Sequence, residues 1–228
     1  MDLDPIEWCQ IELLSGHVPE RRTADLFGKL LRPGDTYVDV GAHVGFHTLV
    51  ARRHLGHQGR VIAVEPQPYN CNKIDANWRV NGFSNIIVCV AAAGERNDMV
   101  ELNSQATSDR SRLSLCLPGV NDQPLCFRVP LVRLDSLLEQ LKCDRIRLLK
   151  IDVEGYELEV IRGLGAWVEK IDHVIAEVLD WESPSARTTD LLALLANLGF
   201  ELKNIEGASW NAGENLPENN LWGSRVRP

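Results

Sequence analysis

Three short stretches bring acids and glycines together at spacings that could do chemistry: "VDVGAHVGFHT", "VIAVEP" and "LLKIDVEGYELEV". In the first, Gly41 and Gly45 flank a tight turn after an apolar run. Glycine lets a backbone approach a ligand closely, and the start of a helix offers free N–H groups to an anion. Asp39 stands two residues before that turn. In the second stretch, Glu65 closes a strand-like run. A carboxylate there can accept two hydrogen bonds from a ribose diol. Together these features suggest an adenosine-containing cofactor. In the third, Asp152, Glu154, Glu157 and Glu159 crowd in behind the apolar run 146–151. Burying a carboxylate without partners is costly, so these acids either cap the next helix or face a bound ligand.

The dinucleotide fingerprint G-x-G-x-x-G is not met, because position 43 is His43. Asp39 is awkward near a pyrophosphate and suits a cofactor with a cationic amino group. S-adenosylmethionine carries an ammonium, a sulfonium and a ribose diol but no phosphate, so the acidic rim favours it over NAD. Plainer readings stand beside this one. Gly41 and Gly45 can serve helix–strand packing alone, Asp39 can cap the helix, and Glu65-Pro66 can be an ordinary strand exit. His43 and His47 lie one helical turn apart, at metal-pair spacing, but no third ligand is evident nearby. They read as polar helix residues, with His47 lining the pocket. No full oxygen-ligand set can be named around Asp152 either, and no metal is assigned.

The elements that must position these residues follow a βα alternation. After a mostly helical stretch over 5–31, "LRPGD" breaks the chain. Strands are predicted at 36–40, 60–65 and 85–92, with helices over 44–55 and 68–82. Two strand-like runs, "MVELN" and "LCFRVPLVRL", surround the polar "SQATSDRSRLSL" and predict an inserted hairpin and loop over about 96–133. Arg110 and Arg112 in that loop are placed to hold an anionic group, unless the loop is simply solvated. A short helix over 135–142 takes Asp135 as its N-cap. "RIRLLKID" and "DHVIAEVL" supply two more strands, separated by a helix that begins near Gly155. A helix ending at Gly199 and a closing antiparallel pair complete the chain. Alternation of this kind implies a mostly parallel, doubly wound α/β sheet. Such sheets bind ligands outside the carboxyl ends of their central strands. The expected organisation is a helical extension over 1–33 and one domain over 34–228.

Composition excludes little but narrows the partners. The chain has 228 residues with a net charge of −8 and no long basic run, which argues against nucleic acid as the main partner. The six cysteines form no CxxC pair and read as reduced thiols of a cytoplasmic protein. No signal peptide is visible, and no apolar run is long enough to span a bilayer. Nothing in the sequence sets the oligomeric state.

"VDVGAHVGFHTL", "VIAVEP", "VRLDSLL" and "LLKIDVEGYELEVIRG", in that order, resemble the FkbM family of S-adenosylmethionine-dependent methyltransferases over roughly residues 34–205. The resemblance implies a class I methyltransferase fold, Rossmann-like, with a seven-stranded mostly parallel sheet and one antiparallel strand. It implies methyl transfer to a hydroxyl of a sugar, glycoside or polyketide-like small molecule, as in natural product biosynthesis. By position it assigns Asp39, Gly41, Ala42, His43 and Gly45 to the methionine part of the cofactor and Glu65, followed by Pro66, to the ribose. It makes Asp152 the match of the fourth-strand acid that faces cofactor and acceptor. Many relatives carry Asn where this chain has His43. No Asp or Asn stands at 91–93 for the adenine, so backbone groups around Ala92, or a water, would read the base. Asp152, Glu154 and His47 are the candidates for the base that activates the acceptor hydroxyl. Trp181, Trp210 and Trp222 are candidates for stacking on a sugar face, although packing is the commoner use of tryptophan. The rival readings are a nicotinamide-dependent oxidoreductase and a catalytically silent scaffold of the same fold.

Overall fold

The computed structural model describes residues 15–104, 113–115 and 126–225. The helical reading of residues 5–14 and the loop with Arg110 and Arg112 lie outside these.

Seven strands form the main sheet: β1 (Thr36–Val40), β2 (Arg60–Glu65), β3 (Ile86–Val90), β8 (Ile146–Ile151), β9 (Ile171–Glu177), β10 (Phe200–Asn204) and β11 (Asn220–Arg225). Their order is β10-β11-β9-β8-β1-β2-β3. β11 runs antiparallel to both of its neighbours, and the other pairings are parallel. The predicted closing pair is therefore present, with Phe200 opposite Arg225.

Apolar runs in β1, β2 and β8 are buried on both faces, as parallel strands covered by helices must be. Val38, Val40, Leu149 and Ile151 face one core. That core is closed by α4 (Leu134–Gln140), α5 (Glu157–Arg162), a 3₁₀ turn at Gly165–Lys170 and α6 (Ala186–Asn197). Tyr37, Val61, Leu148 and Ile175 face the other, under α1 (Arg21–Leu30), α2 (Phe46–Leu55) and Trp78 of α3 (Pro68–Val80). Strand alternation puts Asp39 and Lys150 on this second face as well. α1 is tied down at its start by Glu218, whose carboxylate accepts from the Arg22 and Thr23 N–H groups, each at 2.9 Å.

Two sequence expectations need correction. The predicted strand 85–92 is not one strand. Ala91 N donates to Glu65 O (3.2 Å) and Cys89 O (3.0 Å), which bends the chain out of the main sheet. Ala92–Ala93 then forms β4 of a second sheet, ordered β4-β7-β5-β6. The predicted hairpin is in that sheet, with β5 (Asp98–Ser104) antiparallel to β7 (Cys126–Val132), joined by β6 (Leu113–Leu115). The second correction concerns Asp135, which lies inside α4 rather than capping it. The cap position is Arg133, whose Nε donates to Asp135 Oδ1 at 3.0 Å. A carboxylate in the first turn satisfies the local N–H of Ser136 and a neighbouring cation together.

Candidate active site

The carboxyl ends of β1, β2 and β8 meet in one constellation. Gly41 N donates to Val64 O at 2.9 Å, and Asp152 N donates to Val40 O at 2.9 Å. These bonds extend the sheet ladder past the strand ends and fix the turn 41–45 between its neighbours. Gly41 has φ +82°, and a Cβ there would lie 1.7 Å from the carbonyl oxygen of Asp152. Only glycine fits, because both the backbone angle and the approach of β8 forbid a side chain. Packing alone thus requires Gly41. At Gly45, φ is +85° and a Cβ would press on Ile74 of α3 at 3.1 Å.

Glu65 is 3% exposed at the end of β2. Its Oε2 accepts from His43 N at 2.9 Å, and its Oε1 from Gln67 N at 2.9 Å and Asn70 Nδ2 at 3.2 Å. Burial pushes its carboxyl up from the usual range, and these donors oppose that. A carboxylate has about four lone-pair sites, so one remains on Oε2. Glu65 therefore braces the glycine turn and retains an acceptor position. Pro66 follows it into the turn before α3, and Ala92 follows Ala91, whose N–H holds Glu65 O. Asp39, 1% exposed, accepts from Thr48 Oγ1 at 2.6 Å, which pins α2 to β1. It engages a side chain of the helix rather than the helix backbone.

β8 carries a lysine that sequence reasoning passed over. Lys150 is 1% exposed, and its Nζ lies 2.7 Å from Asp152 Oδ2. Glu20 Oε2, arriving from before α1, is 4.0 Å away on the other side. Burial works against the ammonium, but Asp152, Glu20 and Asp39 outweigh it and hold its pKa above the ordinary value. Glu20 also lies 3.1 Å from His47 Nε2 and accepts from Asn220 Nδ2 at 2.7 Å. Burial raises the Glu20 pKa, but Lys150 and His47 prevail and hold the carboxyl well below the usual range. His47 packs against Phe27 and Phe46, with ring centroids 5.4 and 5.0 Å away. Among the described residues it joins Asp152 through Glu20 and Lys150. The signal for this network was weak: one lysine in an otherwise apolar strand, two residues before an acid.

Asp152 keeps 27% of its side chain exposed, and Oδ1 carries no hydrogen bond among the described residues. Glu154 follows in a left-handed turn, φ +54°. Glu157 Oε1 accepts from Val153 N and Gly155 N, each at 3.1 Å, and so holds that turn at the start of α5. Glu159 pairs with Arg187 of α6, whose Nε also donates to Gly155 O at 2.7 Å. Of the four acids, Glu157 and Glu159 are engaged in local structure, Glu154 stands in the turn, and Asp152 stays partly exposed just past the end of β8. Of the tryptophans, Trp210 is buried, with Nε1 donating to Glu214 O. Trp222 donates to His173, and Trp181 to Asn219. All three are engaged in packing or internal hydrogen bonds.

Carboxylates at the ends of β1, β2 and β8, around a turn with no pyrophosphate fingerprint, form a set suited to a cationic, phosphate-free cofactor. Comparison with known proteins agrees with that chemistry. The family model described as "Methyltransferase FkbM domain" matches residues 39–202. The chain belongs to the FkbM family of S-adenosylmethionine-dependent methyltransferases. It is 30% identical over 204 residues to the 31-O-demethyl-FK506 methyltransferase FkbM of Streptomyces tacrolimicus, covering 76% of this chain and 75% of that protein. It is 27% identical over 250 residues to the AMB antimetabolite synthetase AmbE of Pseudomonas aeruginosa. That match takes in 86% of this chain but only 12% of AmbE's length. Among solved structures, fibrillarin of Aeropyrum pernix, with natively bound S-adenosyl-L-methionine, matches with a TM-score of 0.53 at 14% identity. It covers 91% of this chain and 74% of fibrillarin, and the likeness is one of fold. The seven-stranded sheet with one antiparallel strand is that of a class I methyltransferase. Among the described residues no helix is long and apolar enough to cross a membrane.

Proposed function

We propose that this methyltransferase acts on a hydroxyl of a small molecule, a sugar, glycoside or polyketide-like compound. The observation that carries this is the Asp152 carboxylate, partly exposed at the strand exit, with one oxygen on Lys150 and the other without a donor among the described residues. When bound, S-adenosylmethionine supplies a methyl group on a sulfonium, an electrophilic carbon with a good leaving group. The residues proposed to hold it are Glu65 on the ribose diol, backbone groups around Ala92 at the base, and the turn of Gly41, Ala42, His43 and Gly45 at the methionine end. Pro66 shapes the exit of β2, and Asp39 keeps the turn in place through Thr48.

The protein's own part is to position the acceptor, exclude water and take a proton. The chain would hold the acceptor oxygen in line with the sulfonium methyl, so that transfer of the methyl group would leave the electron pair of the broken bond on sulfur. The hydroxyl proton passes to Asp152 Oδ1. A hydroxyl becomes strongly acidic as its oxygen is alkylated, so a carboxylate suffices as the base. Lys150 holds the carboxylate in place. Glu154, at the turn, contacts the acceptor, and His47 supports Glu20 behind the lysine.

The test is a panel of methyl glucoside, methyl rhamnoside, cyclohexane-1,2-diol and a hydroxylated macrolactone, incubated with the chain and S-adenosylmethionine. Mass detection of a methyl gain on a hydroxyl is the expected result. Methylation confined to nitrogen or carbon in a wider acceptor screen, or cofactor binding with no transfer to any hydroxyl, would overturn the reading. The second of those outcomes is also the one a silent scaffold would give.

A further inference from the structure

Beyond the crevice, a cavity of about 160 Å³ opens between the end of β9 and α6. Leu158, Val178 and Leu191 give it apolar walls, and Ser185 and Arg187 form part of a polar rim. Glu177, the last residue of β9, also lines it. In the parallel ladder Ile151 stands opposite Ala176, so the next pair along is Asp152 and Glu177. The two carboxyl groups are neighbours at the carboxyl edge of the sheet. One of the Glu177 oxygens, Oε2, is sealed from solvent and has no hydrogen-bond partner among the described residues. The structure thus places a carboxyl group with unmet hydrogen-bonding capacity between the proposed base and a small apolar cavity. The cavity is of a size to take one six-membered ring.

We propose that this cavity is the acceptor subsite and that Glu177 positions the hydroxyl to be methylated between itself and Asp152. The proposal rests on the hydroxyl-methylation reading above. Glu177 serves as a neutral carboxylic acid. Burial pushes its carboxyl up to about 9, with Asp152, Glu154 and Glu157 adding to the rise and Lys150 opposing it. In that form it both donates and accepts. It can donate to one acceptor oxygen while Asp152 accepts the proton of the reacting one. Two ionised carboxylates side by side could only accept, and a diol would be held by its protons alone. Arg187, on the cavity rim, is committed to Glu159 and to Gly155 O, and Glu157 is committed to the Val153 and Gly155 N–H groups, whereas Glu177 Oε2 has no partner among the described residues.

The experiment compares Glu177→Gln and Glu177→Ala with the parent on whichever member of the panel the parent methylates fastest. Binding of S-adenosylhomocysteine is measured alongside by calorimetry. An amide keeps both a donor and an acceptor, so Glu177→Gln should raise the acceptor KM by less than about threefold. Alanine removes both, and KM should rise by about tenfold or more, the usual consequence of losing one hydrogen bond to substrate. The Kd for S-adenosylhomocysteine should change by less than about twofold in either variant. The parent's KM should climb above about pH 9 as Glu177 ionises, and the glutamine variant should lack that rise. A parental KM in Glu177→Ala, or a loss of cofactor affinity equal to the loss of acceptor affinity, would overturn the proposal. If the parent methylates no hydroxyl, the reading beneath it fails instead. In that case binding of cyclohexane-1,2-diol to the chain saturated with S-adenosylhomocysteine, followed by NMR, still decides the role of Glu177. Loss of binding in Glu177→Ala supports it, and equal or absent binding in parent and variant overturns it.

Discussion

Lys150→Met tests the buried network most directly. The ammonium sits 2.7 Å from Asp152 and 4.0 Å from Glu20, with 2% of the lysine side chain exposed. Methionine fills nearly the same volume, so the substitution removes charge with little loss of packing. What remains is a pair of carboxylates without their cation. Breaking a buried ion pair by removing one partner costs about 3–5 kcal/mol. Asp152 is 27% exposed and Glu20 30%, so water recovers part of the loss, and the lower half of that range is expected. Asp152→Asn alone leaves Lys150 with Glu20 and should cost about 1–3 kcal/mol. In the double variant one of the stranded charges is gone, so its cost should fall short of the sum by at least about 1.5 kcal/mol. Urea unfolding of the parent, both single variants and the double variant at pH 7 measures all four values. Additivity within about 0.5 kcal/mol would show that Lys150 and Asp152 are not energetically coupled, and the placement of the base by the lysine would fall with it.

Three further outcomes are expected. Glu65→Ala should weaken S-adenosylhomocysteine binding by about 1.5–3 kcal/mol, with Glu65→Gln costing less because it keeps one acceptor; calorimetry showing parental affinity in both would reduce Glu65 to a brace for the turn. Asp152→Asn should lose most methyl transfer while the protein stays folded, with Glu154→Gln intermediate and Glu159→Gln near parental in turnover. Melting temperature and rate must be read together, since lost activity with a collapsed melting temperature would make Asp152 a structural acid. Gly41→Ala should prevent normal folding, as its Cβ would fall 1.7 Å from Asp152 O; a variant that melts within a few degrees of the parent would refute the packing argument.

The fold was legible because its signals are local. The apolar runs at 36–40, 60–65 and 146–151 are long enough to be buried strands, and the glycine turn that follows β1 has a backbone conformation few other residues adopt. Where local signals mislead, the reason is tertiary. "IIVCVAA" reads as one strand, since nothing in its composition marks Ala91. The break there depends on a bond from Ala91 N to Glu65 O, on a strand far away in sequence. Asp135 looks like an N-cap by type and position, but Arg133 before it draws its carboxylate into an ion pair.

The candidate site was legible in part for the same reason. Glu65 ends β2, Gly41 and Asp152 directly follow β1 and β8, and the rule that doubly wound sheets bind at carboxyl ends brings them together without coordinates. Lys150, Glu20, His47 and Asn220 come from four segments, and no spacing within any one of them announces the others. Lys150 in particular looks like a flaw in an apolar strand. Its burial makes sense only once Asp152 is seen beside it and Glu20 behind. A buried ammonium with two close carboxylates contributes little to net stability compared with an apolar residue of the same size. Retaining it in the middle of the sheet therefore needs another reason. The geometry offers one: the lysine holds one oxygen of Asp152 and leaves the other without a donor among the described residues, with Glu177 next along the adjoining strand. The residue that looked least suited to the strand is the one that holds the acid at its end.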